Sequence, residues 1–362
     1  MKYILKILVI SFAVLGSCTR PDDKKEDKSK ETDKEEPKKQ ERVTNIKIED
    51  PKSEYKTGDE IRFQFQYPDT IKLDSIRMDI NNNQAKVFYK NKEELSTKNL
   101  PVGNNNFRFI VFLENREKEV LHKRLEFKSD IKPSLSQCEI IETYPHDPKA
   151  YTQGLFYEDG YLYEGTGQKG ESSLRKIDLE KGEIISSRNL PSQYFGEGIT
   201  SYQDKIIQLT WTSRVGFIYD KNEFKLLKKV RYPTEGWGIT SDGDKLFMSD
   251  GSSKIYLLDP QDFSEIGRME IYDHEGAVDN LNELEYIDGK IYANVWQQDY
   301  IISFEPDNGK VLEKIDCSQL VPEQYKNHND YVLNGIAYDV EKDRLLLTGK
   351  RWPKIYHVEF VE

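Results

Sequence analysis

The chain has 362 residues, with 36% hydrophobic, 12% aromatic and 32% charged side chains, which is enough material for two domains, one of them large. Its net charge of -11 argues against a nucleic-acid partner. The five histidines show no metal-ligand spacing and no Gly-x-Ser-x-Gly phrase is present, so a zinc enzyme or a serine hydrolase is not supported, and we expect no metal and no cofactor.

The first eighteen residues have the pattern of a secretory signal. Lys2 and Lys6 accompany the apolar run Ile7 to Leu15, which is too short to span a bilayer as a mature helix. The ending Leu15-Gly16-Ser17-Cys18 resembles a bacterial lipoprotein signal, which would make Cys18 the lipidated first residue after cleavage. We therefore expect a protein of the bacterial cell envelope, periplasmic or on the outer membrane, anchored through Cys18. The alternative is a plain signal peptide over 1–18 with an incidental cysteine.

A charged segment follows and predicts a disordered tether over 19–42. From Arg20 to Arg42 it holds nine basic and nine acidic side chains and no large apolar residue. Such a segment cannot bury enough apolar surface to offset the entropy of ordering the chain.

Short alternating strands begin at Val43. The alternation is clear in Ile61–Phe65 and Phe107–Phe112, and Gly and Asn turn signals separate the runs. This pattern predicts a small antiparallel β-sandwich, Ig-like, over 43–130. It offers no catalytic cluster, so we interpret it as a spacer or docking module rather than a ligand-binding domain. The pattern lapses between Lys128 and Ser136, where we place the domain boundary.

The remaining region, 138–362, repeats a strand, a turn and a strand five times. The repeats start at Gln153, Glu197, Trp237, Asn282 and Asn334, with spacings of 44, 40, 45 and 52 residues. Four short strands per unit at this period are the signature of a β-propeller. The chain ends before the fifth unit can form its own fourth strand, so Glu139–Glu142 is expected to supply it and close the ring. We predict an all-β fold, a five-bladed β-propeller preceded by the β-sandwich.

The repeat starts should form a ring at one mouth of the propeller, because the first strand of each blade lines the axis. The second strand runs back antiparallel, so its end reaches the same face. Trp211 and Trp296 each lie fourteen residues after a repeat start, and Lys350 lies sixteen residues after Asn334. Any one of these residues could equally cap a turn or fill a gap between blades. As a set in register they favour a concave binding site.

Phrases distributed over every repeat resemble the plant and bacterial type of glutaminyl-peptide cyclotransferase, a family of five-bladed propellers. The resemblance covers about residues 138–362 and leaves out the sandwich, the tether and the signal. The phrases are Tyr144-Pro145-His146-Asp147, Tyr151-Thr152-Gln153-Gly154-Leu155, Phe195-Gly196-Glu197-Gly198, Leu209-Thr210-Trp211, Gly236-Trp237-Gly238, Asn282-Glu283-Leu284-Glu285, Asn294-Val295-Trp296, Leu333-Asn334-Gly335-Ile336-Ala337 and Thr348-Gly349-Lys350-Arg351-Trp352-Pro353.

The resemblance implies an enzyme that converts the N-terminal glutamine of a peptide or protein to pyroglutamate and releases ammonia. Glu197 matches the proton-transferring acid of the family, and we assign Glu197 and Lys350 as catalytic. The residues assigned to substrate binding are Tyr151, Gln153, Phe195, Trp211, Trp237, Asn282 and Trp296. Tyr151 stands where much of the family has phenylalanine, and its hydroxyl bears on which second peptide residue is tolerated.

The residues taken alone are consistent with this chemistry. Cyclisation joins two groups of one molecule, so an enzyme has mainly to select the bent conformer and manage protons. One carboxylate can do so if an apolar aromatic surround tunes its pKa toward neutrality. Lys350 or the amides could steady charge on the carbonyl oxygen, and the aromatic faces could hold the ammonium of the peptide.

Two other functions stay open. A metal-dependent propeller lactonase would use Glu197 with Asn282 and Asn334 at the mouth, although the tryptophans and Lys350 crowd the place of a hydrated cation. A non-catalytic binding propeller at the cell surface would suit the lipid anchor and the spacer. We expect a monomer. Cys138 and Cys317 could pair in an oxidising compartment or stay free, and the sequence leaves both alternatives open.

Overall fold

The computed structural model describes residues 41–326 and 328–362, and the regular structure within them is β. The predicted signal peptide, the lipidation site Cys18 and the tether up to residue 40 lie outside the described residues. Arg42–Glu362 form one compact unit. In the described ranges, no helix is long and apolar enough to cross a membrane. Two single 3-10 turns occur, Ser318–Leu320 and Glu323–Tyr325.

Eight strands come first and form two sheets. They are β1 (Asn45–Glu49), β2 (Tyr55–Lys56), β3 (Glu60–Gln66), β4 (Leu73–Ile80), β5 (Asn83–Phe88), β6 (Lys92–Ser96), β7 (Gly103–Leu113) and β8 (Glu119–Lys128). The sheet orders are β1-β3-β6 and β2-β8-β7-β4-β5. In β3 the apolar residues alternate with exposed polar ones, so Phe63 and Phe65 enter a core shared with Phe107 and Phe109. One pair departs from the predicted antiparallel arrangement, since β2 runs parallel to β8.

The twenty strands from Ser134 onward fall into five sets of four. The first of them along the chain, β9 (Ser134–Pro145), belongs to the last set. The first two sets are β10 (Thr152–Glu158), β11 (Tyr161–Thr166), β12 (Ser173–Asp178), β13 (Glu183–Asn189) and β14 (Gly196–Tyr202), β15 (Lys205–Thr210), β16 (Val215–Asp220), β17 (Leu226–Arg231). The third and fourth are β18 (Ile239–Ser241), β19 (Leu246–Ser249), β20 (Lys254–Leu258), β21 (Glu265–Glu270) and β22 (Leu281–Ile287), β23 (Lys290–Val295), β24 (Tyr300–Phe304), β25 (Val311–Asp316). The fifth set has β26 (Leu333–Asp339), β27 (Arg344–Gly349) and β28 (Lys354–Val361), and takes β9 as its fourth strand.

Strand β9 closes the fifth set as the sequence predicts. It pairs antiparallel with β28, from Lys354 opposite Pro145 to Val361 opposite Gln137. Its first residues also pair parallel with β25, which the sequence did not indicate. The fourth and fifth sets thereby join into one eight-stranded sheet, and the last strand of the chain has no open edge along its pairing with β9.

The first strands of the five sets contact one another in a closed cycle, in the order β10, β14, β18, β22, β26 and back to β10. Glycines permit this close approach. A Cβ atom on Gly198 would come within 2.7 Å of the Trp237 carbonyl oxygen, and one on Gly154 within 2.5 Å of the Ile199 nitrogen. The equivalent positions in the third and fifth sets are also glycine, but the fourth set has Glu283.

The two cysteines of the described region lie together in the core. Cys138 on β9 and Cys317 after β25 are free thiols, both fully buried, with their sulfur atoms 2.8 Å apart. A disulfide has a bond near 2.05 Å, so the pair is adjacent but reduced in this structure. Pairing under oxidising conditions stays a prediction.

Candidate active site

Bulges at the starts of the inner strands carry the polar residues of the site. The pairing of first and second strands shifts register at Gln153, at Glu197 with Gly198, at Asn282 with Glu283, and at Asn334 with Gly335. A bulge adds one residue to its strand and redirects that side chain. The four predicted polar residues Gln153, Glu197, Asn282 and Asn334 therefore lie at equivalent points of four strands, each at most 5% exposed.

An aromatic wall runs beside these residues. Tyr151 meets Phe195 edge to face with ring centroids 6.1 Å apart, and Phe195 meets Trp211 at 5.7 Å. Trp237 and Trp296 form a second pair at 5.7 Å and 90°. A further carboxylate, Glu235, joins the pair Phe195–Trp211 to the pair Trp237–Trp296. We call this group of residues the mouth; its members are Tyr151, Gln153, Phe195, Glu197, Trp211, Glu235, Trp237, Asn282, Trp296, Asn334 and Lys350.

Glu197 is the buried carboxylate among the polar residues of the mouth. Burial raises its pKa well above the ordinary value. The positive charge of Lys350 and a hydrogen bond with the Gln153 side chain act in the opposite direction, and the negative charge of Glu235 adds to the rise. The carboxyl group therefore takes up a proton more readily than an exposed glutamate does.

Lys350 is the buried cation of the mouth. It lies in the turn after β27, is 4% exposed, and has its amine 5.1 Å from the ring centroid of Tyr151. Burial lowers its pKa to about 8, although the charges of Glu197 and Asp330 oppose that shift. Below about pH 8 the mouth thus holds a cation that can face charge developing on a bound substrate.

Two amide oxygens in the mouth lack hydrogen-bond partners. Oδ1 of Asn282 and Oδ1 of Asn334 are buried, and no described residue donates to either. The amide nitrogen of Asn334 donates to the Thr152 carbonyl at 3.1 Å and approaches Gln153 Oε1 at 3.5 Å. An unsatisfied buried acceptor costs about 1–3 kcal/mol, so these oxygens are suited to accept from a ligand's N–H groups.

Glu235 is a mouth residue that the sequence analysis did not identify. Its Oε2 accepts hydrogen bonds from Nε1 of Trp211 at 2.7 Å and Nε1 of Trp237 at 3.1 Å. Glu235 lies two residues before Trp237, in the segment between β17 and β18, at the repeat position that Tyr151 and Phe195 occupy before Gln153 and Glu197. The register of the repeat could therefore have signalled it, although the residue type differs.

Glu283 lies beside Asn282 but has different partners. Its Oε1 accepts from the backbone nitrogen of Leu155 at 3.2 Å, and its Oε2 from that of Ile336 at 2.9 Å. It thereby ties the fourth set to the first and the fifth where the other sets have glycine. The sequence assigned it no catalytic role, and its contacts are those of a structural residue.

Two further observations favour the mouth as the site. A cleft of about 1050 Å³ separates the N-terminal sheets from β21, and no mouth residue lines it. Within residues 41–326 and 328–362, no three His, Cys, Asp or Glu side chains are grouped so that they could hold a metal ion. The acid, the cation and the aromatic wall therefore occur together at the mouth.

The comparisons with known proteins agree on one family. A family model described as Glutamine cyclotransferase matches residues 117–360. The curated glutaminyl-peptide cyclotransferase of Arabidopsis thaliana is 39% identical over 234 residues, which are 64% of this chain and 73% of the relative. The crystal structure of Myxococcus xanthus glutaminyl cyclase has a TM-score of 0.60 and 32% identity, and covers 64% of this chain and 100% of its own. Every mouth residue falls inside 117–360.

Proposed function

The chain belongs to the glutamine cyclotransferase family, and on that premise we propose that Glu197 carries the proton transfers of the reaction. The activity is that of a glutaminyl-peptide cyclotransferase. In this reaction the α-amine of an N-terminal glutamine bonds to its own side-chain amide carbon, the bond from that carbon to the amide nitrogen breaks, and ammonia leaves. The observation that carries the proposal is a buried carboxylate whose neighbours are Lys350 and Gln153.

Glu197 serves as base and then as acid. As the amine attacks, its nitrogen becomes positively charged, and the Glu197 carboxylate accepts a proton from it. The same proton then passes to the departing amide nitrogen, so Glu197 ends the cycle ionised again. Because burial raises its pKa, the group is a stronger base than an exposed glutamate.

Lys350 and the two orphan amide oxygens complete the polar side of the proposal. As the amide carbon becomes tetrahedral, negative charge grows on its oxygen, and the Lys350 ammonium stabilises that charge. Oδ1 of Asn282 and Oδ1 of Asn334 accept from the N–H groups of the glutamine. Both contributions require the glutamine to be folded back on itself, the conformer that cyclises.

The aromatic residues form the apolar side. Phe195, Trp211, Trp237 and Trp296 offer ring faces and edges to the end of the peptide, and Trp211 is 39% exposed. Such faces attract the N-terminal ammonium before it loses its proton. Tyr151 borders Phe195 and Lys350, so its hydroxyl bears on the peptide's second residue.

We further propose that the five sets of strands are the blades of a five-bladed β-propeller, spanning 138–362. The closed cycle of inner strands and the pairing of β9 with β28 support it. The two N-terminal sheets with their common core support an Ig-like sandwich over 43–130 that acts as a spacer.

The location and assembly of the protein are also proposals. We propose a monomer on the bacterial cell envelope, anchored by a lipid on Cys18 and without nucleic-acid partners. Radiolabelled palmitate fed to cells producing the full chain should label it, and Cys18→Ala should abolish the label. Labelling that survives this substitution would show that the lipid is not attached to Cys18.

An ammonia-release assay tests the activity directly. Purified residues 42–362 should release ammonia from a peptide that begins with glutamine. The same peptide acetylated at its N-terminus is the matched control, and it should release none, because acetylation removes the nucleophilic amine.

Two results would contradict the proposed function. Release from the acetylated peptide would indicate simple amide hydrolysis instead of cyclisation. Loss of all turnover in EDTA, with recovery on adding a divalent ion, would favour the metal-dependent reading of the mouth.

A further inference from the structure

Glu235 connects the two halves of the aromatic wall. Trp211 follows β15 in the second set, and Trp237 precedes β18 in the third, so the two indoles reach the mouth from different sheets. One carboxylate oxygen, Oε2 of Glu235, accepts the N–H of both rings, at 2.7 and 3.1 Å. Trp211 continues to Phe195, and Trp237 continues to Trp296. Glu235 is thus the polar link in an otherwise aromatic row.

The indoles need such a link. Trp211 is 39% exposed, so packing alone leaves its ring free to turn toward solvent. Trp237 is held more closely, because its indole packs directly against the backbone of Gly251. A Cβ atom on Gly251 would lie 2.6 Å from the indole. A hydrogen bond to a charged acceptor is about twice as strong as a neutral one, so the shared carboxylate fixes Trp211 relative to the better-held Trp237.

Glu235 also acts on Glu197 through charge. Several ionisable groups face Glu197. They are Lys350 after β27, Tyr151 before β10, and Tyr232 and Glu235 in the segment between β17 and β18. Lys350 favours the ionised form of Glu197, while the negative charge of Glu235 favours the protonated form and raises the pKa of Glu197. The residue that orients the wall is therefore also a neighbouring charge of the catalytic acid.

We propose that Glu235 is a positioning residue for the cyclisation, which holds the indoles of Trp211 and Trp237 as one wall of the substrate pocket and keeps a negative charge beside Glu197. This inference rests on the proposed function of the mouth. It assigns Glu235 no contact with the reacting atoms. Its effect on substrate binding passes through the two indoles, and its effect on the proton passes through Glu197.

Two substitutions separate these effects. Glu235→Gln keeps a carbonyl oxygen that can accept from the indoles but removes the charge, whereas Glu235→Ala removes both. For a glutamine-led peptide, Glu235→Ala should raise KM about tenfold, because two hydrogen bonds that fix the wall are lost. Glu235→Gln should restore most of that loss. In both variants, loss of the negative charge should move the titration of the Glu197 carboxyl to lower pH.

The Glu197 titration is measured on the free protein, by ¹³C NMR of carboxyl-labelled glutamate with Glu197→Gln to assign the signal. This measurement does not depend on turnover. Glu265→Gln is the matched control, because Glu265 is a carboxylate on β21 that pairs with Arg268 away from the mouth. It should leave both KM and the titration at their wild-type values. Far-UV circular dichroism and thermal unfolding establish that each variant is folded.

The KM values test the positioning of the indoles, and the Glu197 titration tests the effect of the charge. Wild-type KM in Glu235→Ala would overturn the positioning of the indoles, as would an equal KM rise in Glu235→Gln and Glu235→Ala. An unmoved Glu197 titration in both variants would overturn the electrostatic part. If Glu235→Ala does not fold, Glu235→Leu, which also offers no acceptor to the indoles, replaces it in the KM comparison. Failure of the wild-type protein to release ammonia would instead refute the proposed function, so the two failures are distinguishable.

Discussion

Two glutamates on inner strands that are separated by β18 are similarly buried but have different roles. Glu197 on β14 and Glu283 on β22 are both at most 5% exposed, and burial raises the pKa of each well above its ordinary value. Their partners differ. Glu197 faces side chains, the Lys350 ammonium and the Gln153 amide. Glu283 faces backbone, the nitrogens of Leu155 and Ile336.

The difference decides which carboxyl group can work as a catalyst. Both oxygens of Glu283 accept hydrogen bonds from N–H groups of two other strands. At the repeat position of Glu283 the other strands carry glycine and approach so closely that no space is left for a substrate. The neighbours of Glu197 are side chains beside the aromatic wall, where the proposed mechanism places the peptide end. A raised pKa in a buried glutamate is therefore not by itself a sign of catalysis, and the partners of the carboxyl group have to be examined.

The strongest test of this contrast is Glu197→Gln. The substitution keeps the volume and hydrogen-bonding reach of the side chain but removes proton transfer, which is typically worth about 10² to 10⁴ in rate. We expect kcat to fall by that factor and KM to change far less, because the proton moves only on the way through the transition state. Steady-state ammonia release at several peptide concentrations measures both constants.

A smaller loss would reassign the proton transfer. If Glu197→Gln kept more than about a tenth of the wild-type kcat, well short of what loss of acid and base catalysis costs, Lys350 would be the next candidate. Thermal unfolding establishes that the variant is folded.

Substitution of Lys350 should give the second largest fall in kcat. Lys350→Met removes the cation that stabilises charge on the carbonyl oxygen, and loss of one such group typically costs about 10² to 10³ in kcat. Because burial lowers the pKa of Lys350 to about 8, the ammonium is present below that pH and is lost above it. The wild-type kcat should therefore fall as pH rises through about 8.

Lys350→Arg is the matched control for that pH dependence. Arginine stays charged throughout the range, so the alkaline fall in kcat should disappear even if the maximum rate is lower. An unchanged alkaline fall in Lys350→Arg would assign it to another group.

Glu283→Gln tests the structural half of the comparison. Either oxygen of a carboxyl group can accept a hydrogen bond, but an amide nitrogen cannot, so one backbone N–H, of Leu155 or of Ile336, loses its partner. Leaving a buried donor unsatisfied costs about 1–3 kcal/mol, and the free energy of unfolding in urea should fall by that amount. The kcat of the folded variant should stay within about threefold of wild type. A large loss of kcat with unchanged stability would place Glu283 in the chemistry.

The sequence predicted much of this arrangement because the repeat is visible in it. The register of the five repeats placed Gln153, Glu197, Asn282 and Asn334 at equivalent points, and the missing fourth strand of the last repeat pointed to Glu139–Glu142. The observed strand β9 is longer, Ser134–Pro145, and pairs with β28 as expected.

What the sequence did not predict depends on contacts without a repeat. The parallel pairing of β9 with β25 joins residues about 180 positions apart and leaves no local pattern. Glu235 shares its repeat position with Tyr151 and Phe195 but differs from them in residue type, and its role appears only when two indoles from different sheets donate to it. The role of Glu283 was partly visible, since four glycines and one glutamate share a repeat position, but its hydrogen bonds to Leu155 and Ile336 required the closed cycle.

Removal of the N-terminal sheets should change kcat and KM least, because none of the contacts that the structure describes between them and the rest of the chain involves the mouth. Asn104 donates from its backbone and side-chain nitrogens to Glu270 Oε2, at 2.7 and 2.8 Å. Lys310 pairs with Asp130 at 2.8 Å and is 8% exposed. A chain that begins at Lys132 should keep kcat and KM within about twofold of those of residues 42–362, by ammonia release. It should unfold somewhat earlier, because Lys310 is left without its partner.

Lys310→Met in the shortened chain separates the two effects. It should recover part of the lost stability, because no uncompensated charge is then left. A chain that begins at His146 provides the opposite extreme, since it lacks β9 and leaves β28 and β25 without the strand that joins them. That chain should not fold, by circular dichroism. If it folds, β9 does not close the ring; if the chain from Lys132 folds but loses turnover, the N-terminal sheets shape the mouth and the separation of the two regions is wrong.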